Sequence, residues 1–271
     1  MKVAFWNVNT GKNSFQTRLD TFENWCQAMQ LDLLLLEEVG HTLIGDKKIE
    51  TLTGMTAIGY VNTLDKNNNK TTKQIWALKN SSNSTFTAKT QTLRPPDPQQ
   101  IRAGLKVTIT GTKTFEIWVI HANASDKGGK AAVMHINELL MRPSGEDLII
   151  GGDLNCKIEN AGTNAVRPHS WQSALQQPVP LNFTQWQRVD GAPTVGPNSY
   201  LHLTVNSLIS YKAFNTHGII DYVMKGKNQT VVPLPNCEDY TNSKGNIVRA
   251  EDTWIEILKN FDHCPVVYNF S

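Results

Sequence analysis

Apolar and polar residues alternate along this chain in a way that predicts many short strands and few helices. Val3–Val8 predicts a first strand, and Ser14–Gln30 carries apolar residues at helical spacing on one face. Leu31–Val39 predicts a buried strand that is apolar, apart from Asp32, until it reaches Glu37 and Glu38. The other predicted strands are Met55–Asn62, Gln74–Lys79, Leu105–Ile109, Phe115–His121, Asp147–Gly152, Ser199–Val205, Ile219–Met224, Thr230–Pro233 and Pro265–Phe270.

The rest of the pattern predicts the domain organisation. A second helix is predicted over Gly129–Met141 and ends before Pro143, and polar loops are predicted over Asp65–Lys70 and Asn155–Asn182. No internal repeat or long linker interrupts the sequence, so residues 1–271 form one predicted domain. Many strands with a few helices predict two packed sheets flanked by helices, an outline that fits several folds.

Composition narrows the classes of function. The net charge is only +2, so any binding of a polyanion must come from a local basic patch. The longest apolar run, Leu31–Leu36, is far shorter than the roughly 20 residues of a membrane span. The first residues lack the apolar core of a secretory signal, which leaves a cytoplasmic location and export as an effector both open.

The four cysteines do not indicate a zinc site, because none of them forms a CxxC pair. Their even number would permit two disulfides. Cys26 lies on the apolar face of the first predicted helix, and Cys264 lies in an apolar terminal segment. We therefore expect free, buried thiols rather than disulfides.

Polar residues recur at the ends of otherwise apolar strands. Such strand ends can converge on one rim of a sandwich, so that residues distant in sequence share a site. Carboxylate and amide oxygens are the ligands that hard cations such as Mg²⁺, Mn²⁺ and Ca²⁺ prefer, and imidazoles can move protons near neutral pH. That combination is typical of phosphate ester cleavage. The strand-end residues are Asn7, Glu38, His121, Asn123, Asp153, Asn155, Asp221, Asp262 and His263.

Six blocks, FWNVNT, LLLLEEV, VIHANAS, IIGGDLN, IIDYV and FDHCPV, resemble the DNase I-like endonuclease/exonuclease/phosphatase superfamily in their order and rough spacing. Within it, HANASDKGGKAA is most similar to DNase I and to the catalytic subunit of the cytolethal distending toxins. His121 disfavours the apurinic endonuclease branch, which usually has a tyrosine there. The sequence around Asp221 disfavours the inositol phosphatase branch, which typically has Cys-Asp-Arg.

The resemblance implies an α/β (α+β) fold, a four-layer sandwich of two packed mixed β-sheets flanked by helices. It also implies a role for each matching residue. The implied metal ligands are Asn7, Glu38 and Asp262, with Glu38 the principal carboxylate. The implied catalytic residues are His121, Asp153, Asn155, Asp221 and His263, with His263 hydrogen-bonded to Asp221. Arg102 resembles a phosphate-contacting arginine, and Asn123 and Lys127 are expected to contact substrate phosphate as well.

Three positions depart from the family pattern. The DNase I branch has a second glutamate that supports its first histidine, whereas this chain has Lys73-Gln74-Ile75-Trp76 in that region. His121 is therefore expected to lack that partner, which puts its role as an acid in doubt. Glu37 stands where the family commonly has glutamine, and Phe261 stands where it commonly has serine.

The predicted function is that of a Mg²⁺-dependent hydrolase, with Mn²⁺ or Ca²⁺ as alternatives, that nicks DNA with low sequence specificity. A genotoxin-type effector with an immunity or delivery protein fits this prediction, and we expect a monomer. Two alternatives stay open. One is a phosphoinositide phosphatase or sphingomyelinase with the same core, and the other is a catalytically silent binding module. Loops rich in Asn, Thr, Lys and Gly favour DNA over lipid, and the retained carboxylate and histidine set favours an enzyme.

Overall fold

Two six-stranded mixed sheets form the centre of the protein. The structure is a computed structural model, and it describes residues 1–8, 15–40, 48–64, 70–93, 102–122, 148–153, 187–189, 211–213, 216–218, 221–225, 229–261 and 263–271. The first sheet contains β1 (Lys2–Asn7), β2 (Leu33–Val39), β3 (Thr56–Leu64), β4 (Lys70–Lys79), β13 (Val231–Leu234) and β16 (Val266–Phe270). Its strand order is β13-β16-β1-β2-β4-β3, and only β1 and β2 are parallel neighbours.

The second sheet has a parallel pair of its own, β7 and β8. It contains β5 (Thr87–Leu93), β6 (Gly104–Thr110), β7 (Thr114–Val119), β8 (Leu148–Asp153), β9 (Gln187–Val189) and β12 (Asp221–Lys225), in the order β5-β6-β7-β8-β12-β9. Two small hairpins add β10 (Tyr211–Ala213) with β11 (Thr216–Gly218) and β14 (Tyr240–Thr241) with β15 (Ile247–Val248).

Alternation along the strands divides the apolar residues between two cores. Leu33 and Leu35 face the second sheet, where they pack with residues such as Ile149. Leu34 and Leu36 face the opposite side and pack with helices. Because side chains of a strand point alternately to its two faces, a strand that is apolar at consecutive positions is buried on both sides. This accounts for the unbroken apolar run in β2.

Three helices in the described residues pack on the outer face of the first sheet. They are α1 (Phe15–Met29), α2 (Lys48–Thr53) and α3 (Ala250–Asn260). In α1 the buried side chains of Leu19, Phe22 and Cys26 recur at helical spacing and share a core with Trp6. None of the helices in these described ranges has the length and apolar character needed to cross a membrane.

The predicted sandwich of two mixed sheets with helices is confirmed. The predicted strand over Ser199–Val205 and the predicted helix over Gly129–Met141 lie outside the described residues. β4 begins at Lys70 rather than at Gln74. Cys26, Cys237 and Cys264 are buried thiols that form no disulfide, as expected, and Cys156 lies outside the described residues.

Two glycines at the end of β8 allow the two sheets to approach each other closely. A Cβ atom on Gly151 would lie 2.6 Å from Cε1 of Phe5 in β1. A Cβ atom on Gly152 would overlap Oε1 of Glu37 in β2 and lie 2.7 Å from the carbonyl oxygen of Ile120. Gly152 also has a φ of +126°, which L side chains rarely adopt. The GGD sequence thus brings the end of β8 against the ends of β1 and β2.

Glu37 is a fully buried carboxyl group between the sheets. Burial raises its pKa well above the ordinary value of 4.5, and the nearby carboxyl groups of Asp153 and Asp221 raise it further. A hydrogen bond from the backbone N–H of Asp153 and the neighbouring His263 lower this pKa, but burial has the larger effect. Glu37 therefore keeps its proton to a higher pH in the folded protein than in the unfolded chain.

We expect Glu37→Gln to stabilise the protein increasingly as the pH rises above 4.5, the ordinary pKa of this carboxyl. A raised folded-state pKa means that the stability contributed by Glu37 is complete below the unfolded-state pKa and is lost as the pH rises through the folded-state pKa. Glutamine does not titrate, so the difference in unfolding free energy should widen by at most about 1.4 kcal/mol per pH unit.

Denaturant unfolding of both proteins with chelator, from about pH 5 to about pH 8, measures this difference. Parallel pH profiles would contradict a buried Glu37 that costs stability when it ionises.

Candidate active site

The carboxylate of Asp153 lies at the centre of the candidate site. Its Oδ2 accepts a hydrogen bond of 2.9 Å from Nδ2 of Asn7, across the gap between the sheets. The same oxygen lies 3.7 Å from Nε2 of His121 and 3.7 Å from Nε2 of His263. All four side chains are buried. One carboxylate oxygen is thus fixed between two imidazoles.

His263 and Asp221 form a buried pair beside Asp153. Nδ1 of His263 lies 3.1 Å from Oδ1 and 3.0 Å from Oδ2 of Asp221. Asp221 is at the start of β12 and pairs in register with Asp153 at the end of β8, so the two carboxyl groups are cross-strand neighbours. A proton on Nδ1 that is donated to Asp221 leaves Nε2 as the basic nitrogen, on the side of Asp153.

Asp153, Asp221 and His263 are close enough to be considered as a metal site, because one ligand atom from each lies within 4.8 Å of the others. The contact between His263 and Asp221 uses Nδ1, which makes the pair suitable for proton transfer instead. Glu38 supplies another carboxylate, on the side of His121. The structure therefore offers two candidate cation positions, one at Asp153, Asp221 and His263 and the other at Glu38.

Glu38 lies at an irregular point within β2, and its side chain is directed towards His121. Its φ is +51°, uncommon for a residue other than glycine, and the pairing of β2 with β4 shifts register between Leu36 and Val39. Oε1 of Glu38 lies 3.3 Å from Nε2 of His121, and the Glu38 side chain is 13% exposed. A carboxylate that is partly exposed at the rim suits a hard cation that keeps some of its water.

Asn7 and Glu38 fit a divalent cation by their donor chemistry. Nδ2 of Asn7 is used by Asp153, so its Oδ1 is the atom that can serve as a metal ligand. Carboxylate and amide oxygens without sulfur select Mg²⁺, Mn²⁺ or Ca²⁺ over softer metals. Asp262, the third predicted ligand, lies outside the described residues.

Arg102 contacts His121 directly, which the sequence did not predict. Nη1 of Arg102 lies 2.5 Å from Nε2 of His121 and donates to the carbonyl oxygen of Ala122 at 3.4 Å. A guanidinium can only donate, so Nε2 of His121 accepts here and has no proton to give. In this arrangement His121 acts as an acid through Nε2 only after Arg102 moves.

The structure brings seven of the predicted site residues together. They are Asn7, Glu38, Arg102, His121, Asp153, Asp221 and His263. The other four, Asn123, Lys127, Asn155 and Asp262, lie outside the described residues, and the roles of all eleven stay predictions. Glu37 was not predicted, although its buried carboxyl contacts Asp153. The sequence signal that could have identified Glu37 was a charged residue at an inward-facing position of an otherwise apolar strand.

Residues 4–241 match the family model described as Endonuclease/Exonuclease/phosphatase family. No curated protein matches the chain in sequence. Solved structures with the same fold include D. rerio TDP2 complexed with single strand DNA product, with a TM-score of 0.61 and 12% identity over 100% of this chain and 98% of that chain. The human nocturnin catalytic domain with bound sulfate anion has a TM-score of 0.61 and 15% identity over 100% and 93%.

ANGEL2, a 2′,3′-cyclic phosphatase in complex with adenosine-2′,3′-vanadate, has a TM-score of 0.57 and 13% identity over 99% of this chain and 94% of that chain. At these identities the likeness shows the fold alone, and the closer resemblance to DNase I and the distending toxins stays a prediction. The family model, by contrast, covers most of the sequence. The resemblance to the DNase I-like superfamily is therefore confirmed, and the chain belongs to the endonuclease/exonuclease/phosphatase family.

Proposed function

We propose that the protein is a Mg²⁺-dependent phosphodiesterase that nicks DNA with little sequence preference. One observation carries the proposal: the Asp153 carboxylate is held between the Nε2 atoms of His121 and His263, and His263 is paired with Asp221. Two imidazoles and a carboxylate around one small space can orient a water molecule and a phosphoryl group together.

In the proposed reaction His263 is the general base. Its Nε2 takes a proton from the attacking water, and Asp221 stabilises the imidazolium that forms. Asp153 accepts a hydrogen bond from the same water and so directs its oxygen at phosphorus. The P–O bond to the leaving nucleotide oxygen then breaks, and that oxygen gains a proton from solvent or from a site residue.

Charge on the phosphoryl oxygens requires stabilisation from donors and a cation. The guanidinium of Arg102 lies beside His121, where it can donate to a phosphate oxygen, and His121 can do so through Nε2 once Arg102 has moved away from it. Glu38 and Asn7, with Asp262, would hold the metal ion, which when bound neutralises developing negative charge on the phosphate. Mn²⁺ and Ca²⁺ satisfy the same oxygen ligands and stay alternatives to Mg²⁺.

Two neighbouring structures and the spread of exposed apolar residues support a nucleic acid substrate over a lipid. The D. rerio TDP2 structure was solved with a single strand DNA product, and ANGEL2 with an adenosine-2′,3′-vanadate. Exposed large apolar residues in the described ranges lie on four separate elements rather than on one membrane-binding loop. They are Tyr60, Val232, Ile247 and Ile255. The net charge of +2 means that DNA must meet a local basic surface.

The rival functions use the same core. A phosphoinositide phosphatase or sphingomyelinase would hydrolyse lipid vesicles without nicking DNA, and a silent binding module would do neither. Activity as an exported effector, an immunity or delivery partner and a monomeric state are further parts of the proposal. The effector activity and its partner are suggested by the resemblance to the distending-toxin subunit, and the monomeric state is a separate expectation.

Supercoiled plasmid should be nicked by the wild-type protein with Mg²⁺ and left intact with chelator. His263→Ala should reduce the nicking rate by about 10²–10⁴-fold, because it removes the general base. Gel quantification of open-circular DNA over time measures both effects. Hydrolysis of phosphoinositide or sphingomyelin vesicles without nicking would support the lipid enzyme, and no hydrolysis of either substrate would support the binding module.

Two carboxylate variants should separate the metal site from the proton-transfer pair. Glu38→Ala should raise the Mg²⁺ concentration for half-maximal nicking by about tenfold or more, because it removes the principal ligand. Asp221→Asn should lower the rate at saturating Mg²⁺ by a similar factor without moving that concentration.

The control is Asp239→Asn, which changes an exposed carboxylate hydrogen-bonded to Ala250 and Arg249 and should alter neither quantity. If Asp221→Asn instead shifts the Mg²⁺ midpoint and Glu38→Ala does not, the cation lies at the cluster of Asp153, Asp221 and His263.

A further inference from the structure

We infer that Glu37 is a positioning residue that fixes the backbone of Asp153 and thereby aims its carboxylate between the two imidazoles. The inference rests on the proposed function, because in the proposed reaction the Asp153 carboxylate orients the attacking water. Glu37 does not contact His121 or substrate in the proposed reaction. It acts through Asp153.

Glu37 contacts the backbone of Asp153 directly. Both carboxyl oxygens of Glu37 lie 3.0 Å from the backbone nitrogen of Asp153, and the Glu37 side chain has no solvent exposure. β2 and β8 belong to different sheets, so this hydrogen bond joins the two sheets at the site. The carbonyl oxygen of Glu37 also accepts the N–H of Val8 at 3.0 Å, immediately after β1. One residue thus links three strand ends.

Two residues of the same parallel strand pair hold Asp153. Glu37 holds its backbone nitrogen, and Asn7 holds its Oδ2 at 2.9 Å. Asn7 and Glu37 are register partners in β1 and β2. Fixing both the backbone and the carboxylate determines the direction of the side chain. The contact with the backbone nitrogen alone would not fix the rotation of the side chain about its Cα–Cβ bond, and the contact with Oδ2 alone would not fix the backbone.

The backbone of β8 leaves space for the carboxyl group of Glu37. Gly152 has a φ of +126°, and a Cβ there would overlap Oε1 of Glu37. The chain therefore has no side chain in the space that the carboxyl group occupies. A buried polar side chain without such a partner would cost free energy that an apolar residue of similar size avoids. The carboxyl group of Glu37 fills this space and accepts the hydrogen bond from the backbone N–H of Asp153.

The variants separate the acceptor from the bulk of the side chain. Glu37→Gln keeps an oxygen that can accept from the N–H of Asp153, whereas Glu37→Leu keeps the volume and removes the acceptor. The matched control is Asp32→Leu. Asp32 accepts the N–H of Lys2 at 2.7 Å at the opposite end of β1 and β2, so its loss perturbs the same strand pair away from the site.

The direct readout is nuclear magnetic resonance at one fixed pH, with chelator and without substrate. We expect Glu37→Leu to shift the backbone amide signal of Asp153 and the imidazole nitrogen signals of His121 and His263. Glu37→Gln should leave the imidazole signals close to those of the wild type, and Asp32→Leu should leave all of them unchanged. An unshifted Asp153 amide signal in Glu37→Leu would overturn the inference. This readout needs no activity, so it remains decisive if the wild type hydrolyses neither DNA nor lipid and the proposed function fails.

Steady-state kinetics test whether the positioning of Asp153 by Glu37 contributes to hydrolysis. With Mg²⁺ and a nitrophenyl phosphodiester, kcat of Glu37→Leu should fall by about 10–100-fold, while KM and the Mg²⁺ midpoint stay close to wild type. Glu37→Gln should recover most of kcat. A kcat loss in Asp32→Leu equal to that in Glu37→Leu would mean a general effect on stability, and equal losses in Glu37→Gln and Glu37→Leu would mean that the acceptor is irrelevant. Either result overturns the inference.

If Glu37→Leu does not fold, Gly152→Ala tests the same contact from β8. Its added Cβ must displace either the carboxyl group of Glu37 or the backbone before Asp153. We expect the same shifts of the Asp153 amide and imidazole signals and the same loss of kcat. Wild-type signals and kcat in a folded Gly152→Ala protein would overturn the inference.

Discussion

The close approach of the two sheets at the end of β8 is the constraint on which the site depends. Neither sheet contains a complete set of reacting groups. Asn7 and Glu38 come from the first sheet, and Asp153 and Asp221 come from the second. A side chain at Gly151 would meet Phe5 of β1, and a side chain at Gly152 would meet Glu37 of β2. The absence of side chains at these two positions lets the end of β8 approach the first sheet closely.

The same approach concentrates charge in a buried space. The carboxyl groups of Glu37, Asp153 and Asp221 lie near one another, and the last two raise the pKa of the first. Like charges at short range in a poorly solvated region repel strongly. This repulsion is reduced by a proton on Glu37, by the imidazole of His263 and by a cation at the rim. The electrostatics of this cluster of carboxyl groups therefore favour binding of a cation at the rim.

The sequence predicted the sandwich and most of its site because the relevant signals are local. Apolar strands that end in Asn7, Asp153 or Asp221 can be recognised without knowing the pairing. β5 and α3 were missed because the first is mostly polar on both faces and the second has no side-chain hydrogen bond at its N-cap. Contacts such as Arg102 with His121, and the turn that sends Glu38 towards the rim, depend on register and on an unusual φ. No local pattern encodes them.

The recognition properties that distinguish this protein from others of its fold must depend on features other than the arrangement of strands. Nocturnin and D. rerio TDP2 share the sandwich with it at 15% and 12% identity, so very different sequences build the same two sheets. Strand packing needs only apolar character and register, whereas recognition of a phosphate ester needs particular donors at particular points. Arg102, just before β6 and in contact with His121, places such a donor group beside the candidate site. A guanidinium in that place adds positive charge locally, which a net charge of +2 spread over the whole chain does not do.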